Sequence, residues 1–326
     1  MTAALTDLGA LSHFGFLTLP NYSMIACANA IEALRMANRV SARNAYRWQL
    51  LTTDGTPARA SNGMSLQPCV ALGNARGLDI VFVCGGVDIR RSTGRPVLAA
   101  LRQLARAGVP LGALCTGSFA LAEAGLLSGY RCAIHWENLS AIREEFPQIQ
   151  FLDDLYTIDR DRITCTGGIA PLDLMLTLIR ARLGSGIAAR IATQFIVERG
   201  RGASERQPLL PAIPAAMRGS SSHQRLETAV RLLQSRLDER LPMGAIAAEV
   251  GLSTRQMERL FKRHLGHTPA VPWKRLRLER ARTLLTQTAM PITDVSVACG
   301  FTTAAHFSTA YRHQFGCSPS TQRATS

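Results

Sequence analysis

Over the first two thirds of the chain, short apolar runs alternate with stretches in which apolar positions return every three or four residues. Residues 14–19, 46–52, 78–84 (LDIVFVC), 109–114 (VPLGAL) and 163–166 read as strands, and the unbroken 78–84 and 109–114 as buried ones. Residues 23–38, with Ile25, Ala28, Ile31, Leu34 and Met36 near helical spacing, read as a helix, as do 96–107, 118–127 and 171–183. Pro171 suits a first helical turn. The alternation predicts an α/β domain over 1–199, a mostly parallel sheet with helices on both faces. Residues 200–222, with three prolines, three glycines and no sustained period, have the composition of a linker. Everything from 223 to 326 is patterned as helix, which predicts an all-α second domain.

That second domain contains an internal repeat. Residues 246–269 (IAAEVGLSTRQMERLFKRHLGHTP) match 295–319 (VSVACGFTTAAHFSTAYRHQFGCSP). Gly251-Leu252 aligns with Gly300-Phe301 at an offset of 49, whereas Leu265-Gly266 and Pro269 align with Phe315-Gly316 and Pro319 at 50. The extra residue is expected in the second helix of the second copy. In each copy a short helix ends at a glycine, a Ser or Thr caps, and a longer basic-polar helix follows, the grammar of a helix-turn-helix. In the first copy Ser253, Thr254, Arg255, Gln256 and Arg259 are expected on the outer side over a stripe of Leu252, Met257, Leu260 and Phe261. Arg and Gln there can make bidentate contacts to base edges. The second copy offers Thr302, Thr303, Ala304, His306, Thr309 and Arg312, a poorer donor set suited to phosphate and thymine-methyl contacts. Arg263 and Lys274 are placed with the DNA contacts. Residues 271–287 (VPWKRLRLERARTLLTQ) join the copies as a helix with a stripe of Trp273, Leu276, Ala281, Leu284 and Leu285 among surrounding bases. A spacer of that length holds two recognition helices about one turn of duplex apart.

Charge supports this division of labour. The chain carries 37 Lys+Arg against 23 Asp+Glu, and residues 223–326 hold 15 of the bases and only 7 of the acids. The eight cysteines have neither Cys-x-x-Cys pairs nor a small-domain framework, so no metal site, cofactor or disulfide scaffold is expected. No base precedes Arg35 and no apolar run reaches the roughly 20 residues of a membrane span, so the expectation is a cytoplasmic protein without a signal peptide or membrane segment.

Through RLRLERARTLL, the second repeat and the terminal Gln322-Arg323, the last hundred residues resemble the DNA-binding domain of the AraC/XylS regulators. Val271-Pro272 stands where that family usually has an aromatic-aliphatic pair. Through FVCGG, ALCTGSFALAEAGLLSGY and CTGGIAPLDLML, the first domain resembles the ThiJ/PfpI class of amidotransferase-like, flavodoxin-like folds. The two together resemble the GlxA-type subgroup, and NYSMIACANAIEALRMANR, ASNGMSLQP and AIHWENL are most similar to regulators of arginine, glycine betaine and carnitine catabolism.

The strand-turn-helix around Cys115 is a geometry that exposes a nucleophile. Enzymes of the resembled class place a histidine after the cysteine or an acid on the first helix, whereas Thr116 and Ala26 stand here, leaving only His135 as a base. Catalysis by a cysteine hydrolase or glyoxalase-like site, a redox-sensing thiol, and a plain pocket residue are the three readings of Cys115, and the chain is read as a non-enzyme. Ligands of open α/β sheets bind at the carboxyl ends of the strands. The lining expected there is Gly86, Cys115, Thr116 and Gly117, with His135, Trp136 and Glu137 opposite and Asn21, Tyr22 and Ser23 on the rim. Elbow N–H groups suit a carboxylate and an indole beside a carboxylate suits an ammonium, although Trp136 could equally be core and Glu137 a helix cap. The 165–168 turn reads as structural, and Asp173 as a cap or anchor. The reading is a regulator, an activator in the pattern of the resembled family. It would bind double-stranded promoter DNA as a homodimer, answer to a small amine, betaine or amino acid, and contact RNA polymerase if it activates.

Overall fold

Each of the five predicted strands is present within two residues of its expected ends. In the computed structural model, which describes residues 7–205, 207, 221–237, 239 and 242–324, the chain divides into two units, Met1–Gln207 and Pro208–Ser326. The first unit runs β1 (His13–Thr18), α1 (Met24–Ser41), β2 (Arg47–Thr52), β3 (Cys69–Ala71), β4 (Ile80–Cys84), α2 (Ile89–Ser92), α3 (Arg95–Arg106), β5 (Leu111–Leu114) and α4 (Gly117–Glu123). It continues through β6 (Arg131–Ala133), α5 (Trp136–Glu145), β7 (Gln150–Leu152), β8 (Tyr156–Asp159), β9 (Arg162–Cys165), α6 (Ala170–Leu183) and α7 (Ser185–Gln194). The sheet order is β3-β2-β1-β4-β5-β9-β8, parallel except for the β8–β9 hairpin, with β6 and β7 as a separate parallel pair.

Alternation on β1 and β4 splits the core into two layers. Phe14, Phe16 and Phe82 stack with ring centroids 5.9 to 6.4 Å apart on the face covered by α1, α6 and α7. Leu17, Val81 and Val83 face the layer built with α3, α4 and α5. Gly112 in β5 makes room for the Phe82 ring, since a Cβ there would lie 2.3 Å from it.

The second unit runs α8 (Ser221–Ser235), α9 (Met243–Glu249), α10 (Thr254–Leu265), α11 (Ala270–Gln287), α12 (Ile292–Ala298), α13 (Ala304–Phe315) and α14 (Pro319–Ala324). Both helix-turn-helix pairs, α9–α10 and α12–α13, are present. The extra residue of the second copy is not in its helix: Ser253 caps α10 and Thr303 caps α13, an offset of 50, and both helices have 12 residues. The insertion is therefore Thr302, in the turn between the glycine and the cap. The joining helix starts cleanly, because Pro272 falls in the first turn of α11, where no intrahelical N–H bond is lost.

The sequence-based linker is divided. Residues 200–205 and Gln207 are held on the first unit, and 206 and 208–220 lie outside the described residues.

Candidate effector pocket and nucleic-acid interface

At the carboxyl ends of the strands, β5 turns into α4 through Cys115, whose φ of +59° is a left-handed conformation uncommon outside glycine. Three loops meet here backbone to backbone. A Cβ on Gly86 would stand 2.0 Å from the Asn21 carbonyl, and one on Gly117 2.0 Å from that of Val83. Ser23 N–H donates to the Gly85 carbonyl at 2.9 Å, and the Thr116 hydroxyl to Gly86 at 2.7 Å. Four helices begin around this point: α1 at Ser23, α4 at Thr116, α5 at His135 and α6 at Ile169, and none of these N-caps accepts a side-chain cap bond. The Ser23 hydroxyl does not cap α1 and lies near Cys115, where it opposes part of the effect of burial on the thiol. Gly167, ahead of α6, faces the Cys115 sulfur and the His135 ring, which would lie 3.1 and 2.8 Å from a Cβ there. Asn29 on α1 donates to the Gly168 carbonyl at 3.3 Å. The 165–168 turn, read as structural, thus packs directly against Cys115 and His135.

The expected lining residues separate into three groups. Cys115, Ser23, His135, Trp136 and Glu137 come together, the last with its carboxylate 3.6 Å from His135 Nδ1 and exposed. Trp136 is half-buried, its ring 5.7 Å from that of His135, and it is not part of the core. Gly86, Thr116 and Gly117 support the elbow, with the Thr116 hydroxyl already committed. Tyr22 is not a rim residue: it is fully buried in the layer under α1, because the chain reverses at Asn21 (φ +59°) and turns the ring inward. Asn21 is exposed beside it.

The surroundings of Cys115 do not activate it as a nucleophile. Burial pushes the Cys115 thiol up to about 11, and the nearby Glu137 charge adds to this. Burial lowers the pKa of His135, with Glu137 opposing. Both groups therefore stay neutral near pH 7, the reverse of a thiolate–imidazolium pair. Ala26 is buried in α1, so no acid stands at the first-helix position either. A shallow depression of about 480 Å³ beside Arg43 and Arg182 lies at the opposite, amino end of the strands. Among the described residues no group of three or more His, Cys, Asp or Glu could hold a metal.

Residues 199–205, together with Gln207, form a strap that sequence reasoning read mostly as linker. Arg201 donates from its backbone N–H and Nε to the buried Asp173 carboxylate at 2.8 and 2.9 Å, and Arg199 pairs with Glu205 at 2.5 Å. Asp173 is thus the expected anchor, but of the strap. Gln207, 6% exposed, donates through Nε2 to the Ile134 carbonyl at 3.0 Å, one residue before His135.

On the second unit Ser253, Thr254, Arg255, Gln256, Arg259 and Arg263 are all exposed on α10, above buried Met257 and Phe261. Ser253 and Gln256 form a capping box, the serine accepting from Gln256 N–H at 3.2 Å and the Gln256 side chain accepting from Ser253 N–H at 2.8 Å. Thr302, Thr303, Ala304, His306 and Arg312 are exposed at α13, Thr303 accepting from His306 N–H at 3.1 Å. Lys274 is exposed on α11. Arg277, read as one of the bases around that helix, is drawn inward instead.

A parallel α/β unit with an unactivated elbow, followed by paired helix-turn-helix motifs, defines a two-domain DNA-binding regulator. Residues 25–181 match the DJ-1/PfpI family and 246–325 a helix-turn-helix domain. The chain is 43% identical over 309 residues to the HTH-type transcriptional regulator GbdR of Pseudomonas aeruginosa UCBPP-PA14, covering 95% of this chain and 83% of that one. It is 40% identical over 311 residues to CdhR of P. aeruginosa PAO1, covering 95% and 91%. A crystal structure of an AraC family transcriptional regulator from Pseudomonas putida matches 56% of this chain and 99% of its own, at 29% identity and a TM-score of 0.51. The chain belongs to the AraC-type transcriptional regulators with a DJ-1/PfpI-like first domain. It is a DNA-binding transcription regulator, and its named relatives are regulators rather than enzymes. No helix among the described residues is long and apolar enough to cross a membrane.

Proposed function

We propose that the first unit binds a small zwitterionic amine and that occupancy there controls transcription of a catabolic operon. The observation that carries this is the meeting of four helix starts without side-chain caps at Cys115, beside a half-exposed indole and an exposed carboxylate. Helix amino ends favour a carboxylate. Trp136 and Glu137 suit the ammonium of the same molecule. A betaine, carnitine or amino acid has both charges at that scale. The strap gives the signal a route: a ligand that shifts His135 moves the carbonyl to which Gln207 is bonded, at the start of the connection to the DNA-binding unit. In this reading the protein acts in the cytoplasm as a homodimer, activates by contacting RNA polymerase, and reads promoter DNA with Ser253, Thr254, Arg255, Gln256, Arg259, Arg263 and Lys274 in one half and Thr302, Thr303, Ala304, His306 and Arg312 in the other.

The test is thermal unfolding of the intact protein with glycine betaine, carnitine, dimethylglycine, arginine and neutral amino acids at millimolar concentration. A ligand at 100 times its Kd adds about 2.7 kcal/mol. The expected result is stabilisation by one zwitterion and its loss in Trp136→Ala; stabilisation by none overturns the amine pocket. Iodoacetamide separates this from a thiol-based response. Cys115 should alkylate slowly at pH 7 and faster only as pH approaches 11, whereas fast labelling at neutral pH would favour a reactive thiol.

A further inference from the structure

We propose that Arg277 is the positioning residue that locks the second helix-turn-helix onto the first half of the DNA-binding unit and so sets the spacing at which α10 and α13 meet DNA. Its guanidinium lies over the Trp273 ring, 3.7 Å from the centroid. Trp273 belongs to the core that α8, α9 and α10 share, with Met257 and Phe261. On the same side Nε donates to the Leu237 carbonyl at 2.9 Å and Nη2 donates to that of Glu239, both just past the end of α8. The turn of the second motif closes on the same guanidinium. A Cβ on Gly300 would lie 2.7 Å from Arg277 Nη2 and 2.9 Å from the Leu237 carbonyl. Gly251, the equivalent turn glycine of the first motif, has nothing within 4 Å of such a Cβ. Gly300 is thus required twice, for its φ of +71° and for the space the guanidinium fills.

Only arginine fits this role, since stacking flat on an indole while donating to two carbonyls from separate nitrogens needs a planar fork that lysine lacks. With the turn of the second motif seated on the first half, the second recognition helix meets its half-site at a preset distance. Its binding is then intramolecular and gains an effective concentration. A loosened junction would let each half bind alone while losing that gain.

The experiment uses the full chain and the duplex it selects from a random library, compared with versions in which either half-site is scrambled or one to three base pairs are inserted between them. Arg277→Ala and Arg277→Lys are expected to keep the affinity for one half-site within about twofold and to lose about tenfold or more on the complete duplex, with a flattened penalty for inserted base pairs. Gly300→Ala, whose Cβ would displace the guanidinium, should reproduce the flattened spacing response if Arg277→Ala proves too unstable to assay. Unchanged affinity on the complete duplex, or proportional loss on all duplexes with the spacing penalty intact, would overturn the role of Arg277. The inference rests on α10 and α13 entering the groove. That separate reading fails if the wild-type chain is indifferent to scrambling both half-sites.

Discussion

The two helix-turn-helix motifs share one backbone plan and divide their chemistry in opposite ways. The first presents Thr254, Arg255, Gln256 and Arg259 over an inner pair of Met257 and Phe261; the second presents Ala304, Ala305, His306 and Thr309 over Phe307 and Tyr311. The second is also the better braced. Phe301, Phe307, Tyr311 and Phe315 form a chain of ring contacts at 5.2, 5.6 and 4.6 Å, while α10 holds itself with a two-way capping box. The difference teaches a separation of resources within a duplicated unit: one copy exposes Arg and Gln side chains, and the other carries a chain of packed aromatic rings.

The comparison can be broken most directly through the cores. Phe307→Ala should cost about 3–5 kcal/mol of stability, more than Met257→Ala, because it removes the central ring of the chain. Denaturant unfolding of the full chain checks this, and a larger loss for Met257 would reverse the assignment of the braced half. The turn glycines come next. Gly251→Ala should cost about 1–2 kcal/mol for its left-handed backbone alone, and Gly300→Ala about 2–4 kcal/mol because Arg277 must also move. On the DNA side, Arg255→Ala should weaken specific binding by about 1–3 kcal/mol and relax preference at one base, whereas His306→Ala should change specificity by less than about 0.5 kcal/mol. Titration against the selected duplex and against random DNA separates the two, and equal effects would mean that both helices read bases. The smallest difference concerns the caps. Ser253→Ala should cost about 1–1.5 kcal/mol and Thr303→Ala about 0.5–1 kcal/mol, since only the first loses a reciprocal bond.

What could be read from the chain alone follows from where stabilisation is local. β1, β4 and β5 are buried on both faces, so their apolar runs announce them. The three-residue β3, β6 and β7 have too few residues for a period to show. The elbow was legible because strand, turn and helix are contiguous around Cys115. Gly167 was not, because its place against Cys115 and His135 is made by the sheet order and not by neighbouring residues. Tyr22 was misplaced on the rim for a related reason: after a strand an aromatic can turn either way, and the left-handed Asn21 decides. Arg277 and Gln207 illustrate the limit for polar side chains, whose burial depends on carbonyls 40 and 73 residues away.

The strap also fixes where the protein can be taken apart. Cutting the chain at 199, where composition changes, would strip Asp173 of Arg201 and leave a carboxylate, 5% exposed, without its cation. Leaving a buried carboxylate without its cation is destabilising. A sensor fragment ending there should be poorly soluble and blind to ligand, while one ending after Gln207 keeps the pair and the Ile134 contact. For anyone exchanging sensors between regulators of this kind, the seam lies eight residues beyond the point that proline and glycine content suggests.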